Sequence, residues 1–273
     1  MTPVNERDGW LITANEPSAV RYRVLLLPGL LCTDLIFADM LADPAVAQSG
    51  ILMMAGNPPG FKGQAAPPDF DFSVPSYARM VEKFAIAQRC DLIVGHSFFG
   101  NVLIEMLPNT AYQGKIMLLS PSLYRMAEPN DTRSLDSFSR KPLVSGIVWW
   151  ATYLMLKSIF KPYFTAEKHD RLDGVVADAK KTPRKVCRRL IMSLFDQIDR
   201  HKDLSPMVAS SRLPLWYIRG TEDNIGFSDE VRKVVAAGPN VTVVDVPGSR
   251  HFVMLDKPLE VNRLIKTALG VSG

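Results

Sequence analysis

Short, continuous apolar runs alternate along the chain with longer amphipathic stretches. Apolar runs of this length without polar alternation are typical of parallel strands covered on both faces, and the amphipathic stretches predict helices. The predicted strands lie at residues 24–27, 51–54, 91–95, 115–120, 215–220 and 241–246. The predicted helices lie at residues 34–47, 74–88, 98–107, 227–237 and 256–269. This repeated alternation predicts an α/β fold with a mostly parallel central sheet flanked by helices.

One long interruption breaks the alternation. Residues 121–212 are mostly helix-forming or loop-forming and contain no clear strand pattern. A chain of 273 residues exceeds the usual size of a single domain, but sheet-and-helix folds of this length often keep one core and carry an insertion. We therefore predict that residues 1–120 and 213–273 form the core and that residues 121–212 form an inserted helical lid.

A serine flanked by glycines stands where a predicted strand meets a predicted helix, in LIVGHSFFGNVLIEML at residues 92–107. A serine hydroxyl is a poor nucleophile until a base removes its proton, so its side chain must be exposed to that base. A tight turn from strand to helix provides this exposure and points the first helical N–H groups at a developing oxyanion. Ser97 is therefore a candidate nucleophile, with Gly95 and Gly100 allowing a close return of the helix.

Gly95, His96 and Ser97 resemble the nucleophile elbow of the α/β-hydrolase fold family, which is usually written G-x-S-x-G. This resemblance implies the serine hydrolase branch of that family. Phe99 stands where the pattern has its second glycine, and Gly100 matches the glycine that often follows. A side chain as large as Phe99 needs room against a neighbouring strand or helix. Without that room, the elbow would widen or Ser97 would tilt.

The family resemblance implies an acid after a later strand and a histidine after the last one. The segment LWYIRGTEDNIG supplies Asp223, with Glu222 as its neighbouring competitor, and VTVVDVPGSRHFVMLDKP supplies His251. The segment RVLLLPGLLCT resembles the loop that provides a second oxyanion donor. The resemblance thus implies a Ser97, Asp223 and His251 triad, with an oxyanion hole formed by the backbone N–H groups of Leu30 and Phe98.

The most apolar stretch of the chain lies inside the predicted lid, at residues 143–164. Its apolar part is nearly long enough to cross a bilayer, but two lysines interrupt it and a proline closes it, so we predict a lid helix. Such a helix lines a substrate pocket, packs on the core or forms a dimer face. The candidate pocket residues are Leu31, Trp149, Trp150, Tyr153 and Phe252.

A second lid helix is predicted in KKTPRKVCRRLIMSLF, with basic residues at 180, 181, 184, 185, 188 and 189. Residues 121–212 carry 17 lysines and arginines against 10 aspartates and glutamates, whereas the rest of the chain carries 15 against 18. This positive charge fits an anionic substrate, an acidic carrier protein, a phospholipid surface or an ordinary solvated helix face. No aromatic and basic interleaving accompanies it, which argues against nucleic acid as a partner.

The amino-acid composition bears on the class of protein, its compartment and its use of a metal or cofactor. Apolar residues make up 47% of the chain and charged residues 22%, as in ordinary globular proteins. The three cysteines are far apart and the N-terminal residues lack a secretory pattern, so we expect a cytoplasmic protein. The four histidines never occur at the i, i+4 spacing of a metal-binding helix, so we expect no metal. The serine hydrolase chemistry that the resemblance implies requires no cofactor.

The sequence therefore predicts a serine hydrolase that cleaves an ester, thioester or lactone of an apolar small molecule through an acyl-enzyme. A carbon–carbon bond hydrolase or a lyase on the same framework is an alternative, because a triad does not specify the bond broken. A non-catalytic ligand-binding protein, with its elbow spoiled by Phe99, is a second alternative. The oligomeric state stays open.

Overall fold

Eight strands form one sheet in a computed structural model that describes residues 5–7, 9–165 and 168–271. The strands are β1 Asn5–Arg7, β2 Trp10–Ala14, β3 Tyr22–Leu27, β4 Ile51–Asn57, β5 Leu92–His96, β6 Lys115–Leu119, β7 Leu215–Gly220 and β8 Val241–Val246. Their spatial order is β1-β2-β4-β3-β5-β6-β7-β8. Strand β2 pairs antiparallel with both β1 and β4, and every other pairing is parallel.

The sheet confirms the predicted α/β fold with a mostly parallel sheet. All six predicted strands are present, and β1 and β2 are additional. Successive residues of β3 alternate between two apolar clusters, with Val24 and Leu26 in one and Leu25 and Leu27 in the other. Because both faces of the sheet are covered there, the inner strands contain continuous apolar runs, which is why these runs identified them.

Twelve α-helices lie within the described residues. They are α1 Ala38–Leu41, α2 Pro44–Gln48, α3 Val74–Ala87, α4 Phe98–Met106, α5 Asn130–Ser139, α6 Pro142–Phe160, α7 His169–Ala179, α8 Arg184–His201, α9 Ser205–Ala209, α10 Asp229–Ala236, α11 Val253–Asp256 and α12 Pro258–Leu269. Helices α5 to α9 follow β6 and precede β7, in the region predicted to be a helical insertion.

Prolines change the bounds of two predicted helices. The predicted helix 34–47 is a 3₁₀ turn at Asp34–Phe37 followed by α1 and α2, because Pro44 cannot continue a helix and the Asp43 side chain accepts from the N–H of Ala45 to begin a new one. The predicted helix 256–269 begins only at Pro258, after the separate short helix α11.

Helix α8 joins the insertion to the core. Its apolar residues Val186, Leu190, Leu194 and Ile198 recur at four-residue spacing and belong to the same buried cluster as α3 and α4. Gln197 donates from Nε2 to the carbonyl oxygen of Asn101 and to Oε2 of Glu105, both at 3.0 Å. These contacts hold α8 directly against the helix that follows Ser97.

Candidate active site

Ser97 occupies the bend between β5 and α4. Its backbone has φ 49° and ψ −112°, a conformation that residues other than glycine rarely adopt. The Ser97 N–H donates to Leu119 of β6 at 2.8 Å, and the Ser97 carbonyl accepts from the N–H of Asn101 at 3.1 Å. The residue thus ends a sheet hydrogen-bond ladder and begins a helix, which leaves its half-buried side chain at the carboxyl edge of the sheet.

The two glycines near Ser97 allow close packing of α4. A β-carbon on Gly95 would lie 2.6 Å from the carbonyl oxygen of Phe99, and one on Gly100 would lie 2.9 Å from Cβ of Pro121. Neither position has room for a larger residue unless the backbone moves. The sequence-based explanation of these two glycines therefore agrees with the local geometry.

Phe99 finds its room in an aromatic cluster. Its ring centroid lies 5.4 Å from each of the rings of Phe61, Tyr77 and Phe98, and its side chain is fully buried. The tight contacts at the bend involve positions 95 and 100 rather than the Phe99 side chain. The bend keeps the positive φ of Ser97, so Phe99 contributes to the core beside the elbow.

Replacing Phe99 by alanine should therefore destabilise the fold by about 3–5 kcal/mol, the usual cost of truncating a buried phenylalanine. Urea denaturation followed by circular dichroism measures this loss. The control Phe138→Ala removes a ring that is 43% exposed and should change the free energy of unfolding by less than about 0.5 kcal/mol. A loss below about 1 kcal/mol for Phe99→Ala would contradict the packing role of the ring.

Asp223 and His251 form a buried pair at the same edge of the sheet. His251 Nδ1 lies 3.1 Å from Oδ1 and 3.4 Å from Oδ2 of Asp223. Asp223 follows β7 and His251 follows β8, so the pairing of two adjacent parallel strands brings the two loops together. The N–H of Ile225 donates to Asp223 Oδ1 at 2.9 Å and fixes the carboxylate. The predicted acid and the predicted histidine thus lie within hydrogen-bonding distance.

The two side chains shift each other's pKa in opposite directions. Burial alone would raise the pKa of Asp223, but the His251 charge and hydrogen bond, helped by the Ser120 hydroxyl and the Ile225 N–H, hold it below its usual range. Burial alone would lower the pKa of His251, but the Asp223 charge and hydrogen bond, with a further contribution from Glu128, raise it above its usual value. An imidazolium at this position is therefore stabilised by the surrounding acids.

His96 supports the His251 loop from below. Its Nε2 lies 3.1 Å from the carbonyl oxygen of His251, and the two rings are 4.7 Å apart. A carbonyl oxygen only accepts, so Nε2 carries the proton and Nδ1 does not. Burial, followed by repulsion from His251, holds the pKa of His96 well below its usual value. His96 is thus a neutral donor that positions the backbone of the histidine loop.

Glu128 is a second buried acid near this pair and was not among the predicted site residues. It accepts a hydrogen bond from the Ser122 hydroxyl, and burial raises its pKa. The 3₁₀ turn at Arg125–Ala127 brings it there, because the carbonyl of Ala127 accepts from the N–H of Gly226 in the Asp223 loop at 2.8 Å. No motif or periodicity in the sequence marks this position.

The loop after β3 passes directly beside Ser97. A β-carbon on Gly29 would lie 3.1 Å from Cβ of Ser97. The N–H of Cys32 donates to Gly29 at 3.1 Å, which closes a turn that holds Leu31 at φ 58°. The Leu30 N–H has no backbone acceptor among the described residues, and Phe98 is the first residue of α4, so its N–H has none within the helix. In the described part of the chain, neither of the two N–H groups predicted as oxyanion donors is thus bonded to a backbone acceptor.

A polar cluster anchors this loop to the insertion. The Thr33 hydroxyl donates to the Asp178 carboxylate of α7, while Lys62 Nζ lies 2.7 Å from Asp34 and 3.5 Å from Asp178. The N–H of Lys62 donates to the Thr182 hydroxyl at 2.9 Å. The insertion therefore fixes the segment that follows the candidate oxyanion donor Leu30.

The candidate pocket residues lie in different environments. Phe252 packs on His96, with rings 5.2 Å apart, and lies beside His251. Leu31 is buried in the same apolar cluster as Phe252. Trp149 is buried and donates to the Ser139 hydroxyl, and the Tyr153 hydroxyl donates to the carbonyl of Thr182. The structure does not bring Trp150 to the site, because its side chain lies on the outer face of α6.

Tyr163 is an additional aromatic residue at the site. Its ring lies 5.7 Å from that of His251 and 6.5 Å from that of Phe252. It lies near the end of the stretch predicted as a lid helix, residues 143–164, but α6 ends at Phe160 and Tyr163 belongs to a 3₁₀ turn at Lys161–Tyr163. Among the residues that the structure describes, no three His, Cys, Asp or Glu side chains come together to hold a metal ion.

A mostly parallel sheet with a strained serine after β5, an acid after β7 and its histidine partner after β8 defines a hydrolase of the α/β type. The comparison with family models agrees, because the model of the alpha/beta hydrolase family matches residues 24–264. The chain therefore belongs to the alpha/beta hydrolase family. A search of curated proteins finds no match to this chain.

Solved structures share this fold at low sequence identity. A hydrolase from Oleispira antarctica is 18% identical with a TM-score of 0.70, covering 96% of this chain and 94% of its own. An esterase from Thermogutta terrifontis is 12% identical with a TM-score of 0.74, covering 96% and 93%. An N-acyl homoserine lactonase complexed with N-hexanoyl homoserine lactone is 17% identical with a TM-score of 0.71, covering 98% of both chains.

Proposed function

We propose that the protein is a serine hydrolase that cleaves an ester, thioester or lactone with an apolar acyl or alcohol part. The observation that carries this proposal is the buried Asp223 and His251 pair, which lies on the same sheet edge as Ser97 in its strained bend. Ser97 is the nucleophile, His251 the general base and acid, and Asp223 the positioning residue of the histidine.

The chemistry runs in two halves. Ser97 Oγ attacks the acyl carbonyl carbon while His251 Nε2 takes its proton, and the carbonyl oxygen becomes an oxyanion that accepts from the N–H groups of Leu30 and Phe98. The carbonyl re-forms, the bond to the leaving group breaks, and His251 gives its proton to that group. A water molecule then attacks the acyl-enzyme, with His251 again as base, and releases the acid and free Ser97.

The surroundings of His251 support an apolar substrate. Phe252, Tyr163 and Phe160 form a connected aromatic group on one side of the histidine, with the Phe160 and Phe252 rings 6.1 Å apart. Two of the similar structures are described as an esterase and as a lactonase with a hexanoyl-bearing lactone. Both substrate classes match the acyl-transfer chemistry proposed here.

Labelling with a fluorophosphonate tests the proposal. The native chain should gain one adduct by intact mass, and peptide mapping should locate it on Ser97, because only an activated serine reacts readily with this probe. Ser97→Ala and His251→Ala should gain none. A well-folded native chain that neither reacts nor turns over a small ester would contradict the hydrolase proposal and favour the non-catalytic ligand-binding alternative.

The pH dependence of kcat/KM should reveal the raised pKa of His251. Only neutral His251 can act as a base, so activity should rise with pH through its pKa, with a midpoint above the ordinary histidine value of about 6.5. Removing the Glu128 charge destabilises the imidazolium, so Glu128→Gln should move the midpoint to lower pH.

The matched control for this pH profile is Glu230→Gln on α10, which removes an exposed acid and should leave the midpoint unchanged. The measurement is initial rates of ester hydrolysis at substrate concentrations well below KM. A midpoint that Glu128→Gln leaves in place would contradict the contribution of Glu128 to the His251 pKa.

A further inference from the structure

The outer face of α6 is apolar although it is exposed. Leu143, Ile147, Trp150 and Leu154, here named the α6 stripe, are 95%, 69%, 55% and 61% exposed. Their spacing of four, three and four residues aligns them along one side of the helix. Monomeric soluble proteins seldom expose a contiguous row of large apolar side chains, so we expect this face of α6 to contact a partner.

The opposite face of α6 is fixed in the protein. Trp149, Leu156 and Phe160 are buried in the same cluster as one face of the sheet. The segment Pro142–Tyr163 is long and apolar enough to cross a bilayer, with 28% of its most apolar part buried. If α6 crossed a bilayer, these buried side chains would have to leave the core. If α6 instead lay flat against an apolar layer, only the α6 stripe would contact that layer.

Positive charge lies next to the α6 stripe. A groove of about 1040 Å³ is lined by Ser145, Gly146 and Trp149 of α6 and by the basic edge of α8, here defined as Arg184, Lys185, Arg188 and Arg189. Gly146 is a helical neighbour of Leu143 and Trp150, so the groove and the α6 stripe share a border. The basic edge and the α6 stripe therefore form one continuous surface.

Most of this positive charge is uncompensated. Arg184, Lys185 and Arg189 form no ion pair with any carboxylate in the described parts of the chain, and Arg188 donates its Nε proton to the carbonyl of Ser139. The one carboxylate in the groove lining is Asp71, which accepts from the N–H of Ser73. An anionic partner would thus meet unpaired cations beside exposed apolar side chains.

We propose that α6 docks on an anionic phospholipid surface, with the α6 stripe in the headgroup and acyl boundary and the basic edge against the lipid phosphates. Interfacial helices combine these two features. An acidic carrier protein would satisfy the basic edge but leave the α6 stripe in water. A symmetric dimer through this face would bring two basic edges together, which opposes association. The proposal does not depend on the hydrolase proposal.

Co-sedimentation with vesicles tests the proposal without any turnover. The native chain should bind vesicles of phosphatidylcholine and phosphatidylglycerol at least about tenfold better than vesicles of phosphatidylcholine alone, because each cation near an anionic surface strengthens binding. The fluorescence of Trp150 should shift to shorter wavelength on binding, and Trp150→Phe should lose that shift. Equal binding to both kinds of vesicle, or no binding by the folded chain, would overturn the proposal.

Two pairs of variants separate the two parts of the surface. Leu143→Ser/Ile147→Ser/Leu154→Ser and Arg184→Gln/Lys185→Gln should each weaken binding to the anionic vesicles by about tenfold or more. Their matched controls alter exposed residues outside the helical insertion and should bind the anionic vesicles within about twofold of the native chain. These controls are Ile86→Ser/Val234→Ser/Leu259→Ser and Lys83→Gln/Lys233→Gln.

The variants also distinguish the other occupants of this surface. If the apolar triple variant binds vesicles as the native chain does, the attraction is electrostatic alone, which overturns the docking of α6 and favours an acidic macromolecule. If light scattering shows a dimer that the apolar triple variant dissociates, and vesicles are not bound, the α6 stripe is a dimer interface and the proposal fails. Fluorophosphonate labelling is measured separately, so failure of one proposal leaves the other standing.

Discussion

Replacing Ser97 by alanine should lower kcat for ester hydrolysis by about 10⁴- to 10⁶-fold, the loss expected when a triad nucleophile is removed. Alanine keeps the volume of the residue and the backbone around it, but no oxygen is left to form the acyl-enzyme. Any residual rate would come from bound substrate beside the oxyanion donors Leu30 and Phe98, with water as the nucleophile. The measurement is steady-state hydrolysis of p-nitrophenyl esters of graded acyl length.

The matched control is Ser210→Ala, which removes an exposed hydroxyl after α9 and should keep kcat within about twofold of the native value. Thermal unfolding of both variants should give the native transition, since neither change removes a buried apolar side chain. A Ser97→Ala variant with more than about a tenth of native kcat would show that another group supplies the nucleophile and would reject the proposed mechanism.

Ser97, Asp223 and His251 could be singled out from the sequence because each follows a predicted strand in the order that the family resemblance implies. Parallel strands place their carboxyl ends at one edge of the sheet, so residues far apart in the chain meet there. The apolar runs identified these strands because both faces of the sheet are covered. Chain order along a parallel sheet therefore contains much of the site geometry.

The sequence could not predict Glu128 or the surroundings of Trp150. Glu128 lies near enough to His251 to raise its pKa because a 3₁₀ turn packs on the Asp223 loop through the backbone of Ala127 and Gly226. Such contacts leave no periodic pattern in the sequence. Helix α6 is apolar on nearly all sides, so its pattern does not specify which face is buried. Packing on α5, α7 and α8 decides that question, and it leaves Trp150 outside.

The short strands β1 and β2 were missed for a related reason. They pair antiparallel at the edge of the sheet, and β2 buries Trp10 and Ile12 while its intervening residue Leu11 is only half-buried. A single five-residue strand with this alternation has no strong apolar run. Its position depends on the exposed edge of β4, which only the folded sheet provides.

Asp223→Asn should lower kcat by about 10³- to 10⁴-fold while the fold stays intact. The substitution changes the tautomer of His251 and removes the carboxylate charge, but it keeps the volume of the side chain. The Asp223 carboxylate accepts from Nδ1–H of His251, which leaves Nε2 unprotonated and able to take the Ser97 proton. An asparagine can donate its amide N–H to Nδ1 instead, which moves the ring proton to Nε2 and removes the base. The same variant also lacks the negative charge that stabilises the imidazolium.

The neighbouring acid provides the control for Asp223. Glu222 is exposed and its carboxylate lies 3.8 Å from Nε of Arg250, so Glu222→Gln should keep kcat within about twofold of native. A large loss of kcat for Glu222→Gln with little loss for Asp223→Asn would reverse the assignment of the acid.

Adding Glu128→Gln to Asp223→Asn measures the contribution of Glu128 to kcat when Asp223 carries no charge. If Glu128 stabilises the imidazolium when Asp223 is neutralised, the double variant should be slower than Asp223→Asn alone, whereas equal rates would show that Glu128 acts only through Asp223.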